Sequence, residues 1–509
     1  RPQLAKTSKE NNMRLTLTHV ARAITLCALA ATCAANAQHI HSAPAANAAA
    51  SSATVAAAPA PAPSAASPSV HRFVLHTNIV DGKMVYVNDK GQVNPTLNAR
   101  VGDTVEVVLD SGEGAEHDFV ISELNVASAK FNSTTGKTTV RFKVTQPGEF
   151  TYFCSIPGHR QIGMAGTFQV TGEAAPQALS GSQASSQAAL ALYTPAPMPQ
   201  RGADPAAVNI AADPAKVPPA IEGRAPTTLK YRMETVELAG KLDDGTSFTY
   251  WTFDRQVPGP MLRARVGDTI ELTLANARDS KAIHSIDLHA VTGGHGGGEH
   301  TQVAPGQEKT ITFKALNPGL YVYHCATPLV PQHIAAGMYG MILIEPEGGL
   351  PKVDREYYVM QGDMYTHRPH GAKVHQEPDL EKMANELPDY YVFNGAVGAL
   401  TKTHKLTAKV GDTVRLYFGV GGPNKISSFH VIGEIFDKVY SEASLNAVKH
   451  NVQTTLVAPG GATIAELKVQ HPGSYLLVDH ALSRTGKGAV GVLEVTGEPV
   501  PGVYKAGKL

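Results

Sequence analysis

Arg265-Val-Gly-Asp-Thr269 runs directly into the alternating stretch Ile270-Glu-Leu-Thr-Leu274. The same pairing occurs twice more: Arg100-Val-Gly-Asp-Thr104 before Val105-Glu-Val-Val-Leu109, and Lys409-Val-Gly-Asp-Thr413 before Val414-Arg-Leu-Tyr-Phe418. Apolar residues at every second position have the period of a half-buried strand, and Gly-Asp is a turn signal. Downstream in each copy comes a second marker, Gln146-Pro-Gly-Glu-Phe150, Asn317-Pro-Gly-Leu-Tyr321 and His471-Pro-Gly-Ser-Tyr475, again opening a strand. Two kinds of turn, each recurring in register three times, predict three Greek-key β-sandwich domains in tandem and an all-β fold.

The rest of the chain divides around these repeats. Residues 42–69 and roughly 173–225 are rich in Ala, Pro and Ser and cannot bury a core, so they read as linkers. Segments 38–69 and 173–226 are therefore linkers, and the domains are expected at 70–172, 227–348 and 349–509. Residues 1–37 read as upstream residues and an export signal: Arg14 and Arg22, an apolar run from Ala23 to Ala35, then Ala35-Asn36-Ala37 as a cleavage site. That run is too short to span a membrane. Ala30-Ala31-Thr32 makes a poor lipidation signal for Cys33. Zero formal net charge with 17% charged residues and no long basic run argues against a nucleic-acid partner.

Cysteine usage carries the chemistry. Beyond the signal only Cys154 and Cys325 remain. An even pair in an exported protein suggests a disulfide. Yet both stand in matching contexts, Phe150-Thr-Tyr-Phe-Cys154 and Tyr321-Val-Tyr-His-Cys325, as copies of one site. Cys154 is followed by His159 and Met164, and His117 lies fifteen residues after Gly102. Cys325 is followed by His333 and Met338, and His284 lies seventeen residues after Gly267. One thiolate, two imidazoles and a weak axial thioether form the blue-copper donor set, so each copy is expected to hold a type 1 copper. In the third copy the cysteine slot, seven residues past Pro472, holds Asp479, so no type 1 site is expected there. That copy keeps His430 in the slot of His117 and His284, and His480 directly after Asp479.

The second copy has two further histidines. His289 lies five residues past His284, and His324 immediately precedes Cys325. Neighbouring strand residues face opposite ways. If Cys325 binds inside the sandwich, His324 points out, and His289 with it. A third imidazole from His480 of another subunit would complete an open three-histidine centre at an interface. Two ligand arms across the His324–Cys325 peptide bond would put the two metals roughly 12 Å apart.

Residues 227–500 resemble the two-domain copper-containing nitrite reductases in His284-Ser-Ile-Asp-Leu-His289, Tyr323-His-Cys325, His333-x4-Met338, Ser428-Phe-His430-Val-Ile-Gly433 and Val478-Asp-His480. Residues 70–172 resemble the extra cupredoxin fused before that core in one subgroup. The resemblance implies three cupredoxin-like domains and type 1 copper on His284, Cys325, His333 and Met338. It implies type 2 copper on His289, His324 and His480, the last from the neighbour in a homotrimer, hence three coppers per subunit. It further implies Asp287 and His430 as the catalytic pair, Ile432 capping the substrate pocket, and Thr454 orienting His430. The expected activity is reduction of nitrite to nitric oxide in the periplasm, fed by a small cytochrome or cupredoxin. The loop Gly293-Gly-His295-Gly-Gly-Gly-Glu-His300 departs from that pattern, and its histidines read as solvent-exposed.

Two rival readings stand beside it. A two-domain multicopper oxidase needs His-x-His pairs and a His on both sides of the cysteine, whereas Cys325 is followed by Ala326. An electron-transfer cupredoxin array leaves His289, His324, His430, His480 and Asp287 without a purpose. The leading copper domain itself reads as a tethered electron carrier, or as a docking or masking module.

Overall fold

A computed structural model describes residues 69–80, 83–156, 159–160, 163–172, 201–221, 223–505 and 507. The expected signal and the Ala/Pro-rich stretches 38–68 and 173–200 lie outside the described residues.

Among the described residues, six β-sheets face one another in three successive pairs. In the first pair, Val70–Val80 runs parallel to Thr104–Ser111, and the facing sheet carries Gly148–Phe153 against Ala165–Thr171. In the second, Thr228–Asp243 runs parallel to Thr269–Asn276, and the facing sheet has the order Leu262–Arg265, Tyr339–Glu345, Gly319–His324, Asp287–Leu288. The short strand His375–Gln376, from beyond the expected boundary at 348, joins the edge of this pair beside Thr246–Phe253. The third pair packs Thr413–Gly422 and its neighbours against a sheet holding Gly473–Asp479, Ser427–Ile432 and Thr454–Val457.

The thrice-repeated Gly-Asp turn has one physical cause. Gly102, Gly267 and Gly411 adopt φ of 95°, 89° and 98°, a backbone that side chains disfavour. Asp103, Asp268 and Asp412 then fold back to accept the amide of the residue three before, at 2.8, 2.9 and 3.0 Å. The turn launches the following strand with its alternate residues inward. Val105, Val107 and Leu109, then Ile270, Leu272 and Leu274, are fully buried.

The second and third pairs are joined by buried charge. Glu356 accepts from Arg263 at 2.8 Å and from Arg415 at 2.9 Å, and Arg415 also reaches Glu466 at 2.7 Å. Burial pushes the Glu356 carboxyl up, but the Arg263 guanidinium, Tyr417 and Arg415 outweigh it and hold it below the ordinary range.

Candidate metal centres

Two ligand clusters sit inside the sandwiches where the sequence expects them. In the first, Cys154 Sγ lies 3.4 Å from His159 Nδ1 and 3.9 Å from His117 Nδ1, and the two imidazole nitrogens are 3.2 Å apart. In the second, Cys325 Sγ lies 3.2 Å from His333 Nδ1, which is 3.3 Å from His284 Nδ1. The methionines are tied to these loops through the backbone: Met164 donates to His159 and accepts from Cys154, and Met338 does the same with His333 and Cys325. Both are wholly buried. Neither cysteine forms a disulfide, which removes the alternative raised by their even number. Converging nitrogen and soft sulfur donors fit copper.

The surroundings of the two thiols differ. Burial pushes Cys325 up, but the facing imidazoles of His333 and His284 outweigh it and hold it well below the ordinary thiol range. Burial pushes Cys154 up to about 12, and the Asp118 carboxylate adds to it. Burial would lower His284, yet the Cys325 sulfur and the Glu237 carboxylate raise it to about 9. His159 is lowered to about 3 by burial and by the neighbouring His117 and His333.

Behind each inner histidine stands a carboxylate that sequence reasoning missed. Glu237 Oε1 accepts from His284 Nε2 at 3.1 Å, and Glu113 Oε1 accepts from His117 Nε2. Such partners fix the ring and its tautomer so that Nδ1 faces the metal. Glu113, four residues before His117, was within sight of the motif. Glu237 comes from a strand 47 residues away, and no local spacing could reveal it.

On the outer face, His289 Nε2 lies 3.1 Å from His324 Nε2, and Asp287 completes a group of possible ligands with them. Cross-strand register explains the meeting, because Asp287 pairs with His324 and Leu288 with Tyr323. Burial lowers the pKa of His289, as does its neighbour His324, against the opposing pull of Asp287. His480 is not in this group. Within one chain it stacks edge-on with His430, ring centroids 5.5 Å apart, on an outward face of the third pair. His430 Nδ1 donates to the main-chain carbonyl of Gln453 at 2.5 Å. That carbonyl holds the ring, and Thr454, expected to orient it, stands directly opposite His430 on the paired strand. Ile432, 42% exposed, lies across from Leu476 on the same face.

Asp479 fills the third copy's cysteine slot as a structural plug. Fully buried, it accepts from Arg484 at 2.6 Å and Gln361 at 3.1 Å. The interior beneath is filled by stacked Phe418 and Phe429, centroids 3.8 Å apart.

The glycine loop has a role its exposed histidines concealed. His295 and His300 point to solvent, as expected, but Gly296, at φ 62°, lies directly against the Asp287 carboxylate. Thr301 fastens the loop down, accepting from Ile286 N at 3.0 Å and donating to the Ile286 carbonyl at 3.1 Å.

Facing sheets that lodge paired His–Cys–His sets, with an outward histidine pair one residue from a thiolate, define a multidomain cupredoxin: a copper oxidoreductase. Known proteins agree. The family model "Multicopper oxidase" matches residues 235–349, and "Copper binding proteins, plastocyanin/azurin family" matches residues 74–171. A copper-containing nitrite reductase of Neisseria meningitidis serogroup A is 53% identical over 287 residues, which cover 56% of this chain and 74% of the relative. That of Cereibacter sphaeroides is 35% identical over 297 residues, 55% of this chain and 79% of the relative. Among solved structures, the copper nitrite reductase of Nitrosomonas europaea aligns with TM-score 0.49 at 35% identity, over 55% of this chain and 98% of its own. On the identity and coverage of the Neisseria and Cereibacter relatives, the chain belongs to the copper-containing nitrite reductases.

Proposed function

We propose that the protein reduces nitrite to nitric oxide and water in the periplasm, at a type 2 copper shared between subunits of a homotrimer. In this reading it is built of three cupredoxin modules with three coppers per subunit. The carrying observation is the division of one strand, Gly319–His324 with Cys325 after it. The Cys325 sulfur meets His284 and His333 inside the sandwich, while the preceding His324 meets His289 outside it. Copper on these residues would supply a Lewis acid for nitrite and the single electron, arriving by way of the His324–Cys325 peptide bond.

The reaction consumes two protons, and two side chains are available to deliver them. Asp287 lies beside His289 and His324, within reach of an oxygen held there. His430, with Nδ1 occupied by the Gln453 carbonyl, has Nε2 turned to deliver the second. Ile432 walls the pocket that these two share once subunits meet. Support for the assembly comes from the face that carries His430 and His480. Ile432, Leu456 and Leu476 are 42%, 67% and 37% exposed there, an apolar strip suited to burial against a second copy.

Subunit mixing tests the shared site. His480→Ala and His289→Ala should each be inactive alone. Co-assembled, they should regain activity at about a quarter of the sites, because some interfaces combine an intact pair with an intact neighbour. No recovery on mixing, with trimers intact, would rule out the shared site. The multicopper-oxidase alternative predicts five or so coppers per subunit and the electron-carrier array two, so copper content separates all three.

A further inference from the structure

The outer imidazoles of the two inner sets open on one cleft. Ile283, beside the ligand His284 and 2% exposed, enters the hydrophobic core of the first sandwich. Next to that contact the two sandwiches leave a cleft of about 540 Å³, with apolar walls from Met84, Ile156, Ile283, Leu329 and Trp251. Size and lining suit a small organic ligand, whose sites run to about 300–1,000 Å³.

Three polar groups reach into the cleft without a protein partner among the described residues. A metal-bound imidazole ordinarily donates its second N–H to the protein. His117 and His284 do so, to Glu113 and Glu237. His159 and His333 commit Nδ1 to their clusters, which turns Nε2 toward the cleft that both rings line. Neither Nε2 has a protein partner. The third group is the side-chain amide of Gln332, the residue before His333 and only 8% exposed. A buried amide left unpaired is costly, so its position in the wall marks the place of a polar ligand.

The surroundings define the class of ligand. N–H donors on two sides call for acceptor oxygens at two ends of one molecule. Trp251, whose ring centroid lies 4.6 Å from that of His333, offers an aromatic wall suited to a flat ring between those ends. Carboxylates of Glu116, Asp204, Asp279 and Glu377 outnumber Arg201 and Lys281 in the lining, which favours a neutral molecule over an anion.

We propose that this cleft binds a para-dihydroxybenzene, its hydroxyl oxygens accepting from His159 and His333, and that the bound molecule is a small organic electron donor to both inner sets. Its two O–H bonds break and its two C–O bonds become carbonyls. Two electrons leave, one through each imidazole, reducing cupric copper to cuprous in each set, and the two protons pass to the rim carboxylates and water. The inference rests on the copper reading of both sets given above.

The test uses the full-length copper-loaded protein without oxygen. Binding alone is read by titration calorimetry with para-dimethoxybenzene, which keeps both acceptor oxygens but has no O–H to lose. It should bind once per chain. Trimethylhydroquinone should bleach both thiolate–copper absorptions at a rate that levels off with donor concentration, and the dimethoxy compound should compete with it. With Cys154→Ser or Cys325→Ser, the remaining set should still bleach with the same saturation. Gln332→Leu should weaken binding by roughly three- to tenfold, the worth of one hydrogen bond. Ala239 lines the cleft two residues after Glu237, on the same face of its strand, so Ala239→Phe fills the space and should weaken binding by roughly tenfold or more. Both variants should keep the parent's thiolate–copper absorptions. If Ala239→Phe fails to fold, Gln332→Leu still decides. No binding of the dimethoxy compound, bleaching that rises in proportion to donor without levelling, bleaching of one set alone, or variants that bind as tightly as the parent would overturn the inference. Absence of the thiolate–copper absorptions in the parent would instead overturn the copper reading, and calorimetry would still report on the cleft.

Discussion

Replacing Gly296 by alanine should disable nitrite reduction without touching a ligand. A Cβ built on Gly296 overlaps Asp287 Oδ1, stands 2.7 Å from Asp287 Cγ and 3.0 Å from the Leu288 carbonyl. Backbone cost alone is small, since alanine at φ 62° loses about 1–2 kcal/mol. The collision is larger, and the loop cannot retreat, because Thr301 binds it to Ile286 on both backbone groups. The carboxylate must therefore move by about an ångström, a displacement that costs a positioned group roughly 100-fold in rate, or about 2.7 kcal/mol of barrier. Full loss of an acid catalyst spans about 10²–10⁴-fold, so Asp287→Asn should fall at or below the same level. Steady-state nitrite turnover with a viologen donor, read beside copper content, measures both. Three coppers per subunit should remain in each variant, and the double variant should be no worse than Asp287→Asn, because the two changes strike one interaction. If Gly296→Ala turns over like the parent with all copper bound, or if it slows the Asp287→Asn background by a further 100-fold, the loop does not act through the carboxylate.

Other consequences can be measured directly. His324→Ala should bind two coppers per subunit instead of three, keep the thiolate absorption and lose nitrite turnover; metal analysis showing three would contradict the outer site. Glu356→Ala leaves the buried guanidiniums of Arg263 and Arg415 without their shared partner and should destabilise the protein by about 3–5 kcal/mol in denaturant unfolding; a loss under about 1 kcal/mol would contradict the network. Because the folded protein holds the Glu356 carboxyl below its ordinary value, that stabilisation is present above about pH 4.3 and disappears as pH falls through the lower folded value. Glu434 runs the other way: burial and the neighbouring Asp437 raise it to about 7, so it costs stability increasingly as pH rises from its ordinary value toward 7. Glu434→Gln should flatten the melting temperature over that window, and an unchanged profile would refute the assignment.

The residues legible in the sequence were those whose partners lie close along the chain. The Gly-Asp turn is solved within four residues, so Asp103, Asp268 and Asp412 announce the strands that follow. Cys325, His333 and Met338 sit on one loop between strands, and strand alternation alone places His324 outside. Where recognition crosses the sheet the sequence is silent. Glu237 reaches His284 from a different strand, and Thr454 proved to be the cross-strand neighbour of His430 while the Gln453 carbonyl holds its ring. The glycine loop was read from its histidines, which face water, when the informative residue was Gly296 between them. A Pro-rich linker says that the first sandwich can be held at a distance. It says nothing of Ile283 entering that sandwich's core.

One slot, filled three ways, accounts for the division of labour among the copies. Each has a strand running from a Pro-Gly turn to a residue at the sandwich interior. Where that residue is Cys154, the carboxylate of Asp118 stands next to its loop; where it is Cys325, the hydroxyl of Ser285 takes that position. Where it is Asp479, the salt bridge to Arg484 and the Phe418–Phe429 stack stand in place of a thiol and its imidazoles. The residue flanking the slot changes in step. Phe153 precedes Cys154 and offers no ligand; His324 precedes Cys325 and turns outward; His480 follows Asp479 on the outward face. Repetition of one strand therefore yields an inner cluster with a carboxylate beside it, an inner cluster backed by an outward histidine pair, and a scaffold that lacks the thiol and carries an outward imidazole. Charge at the interior end of that strand and the identity of the residue beside it are enough to set which of the three a copy becomes.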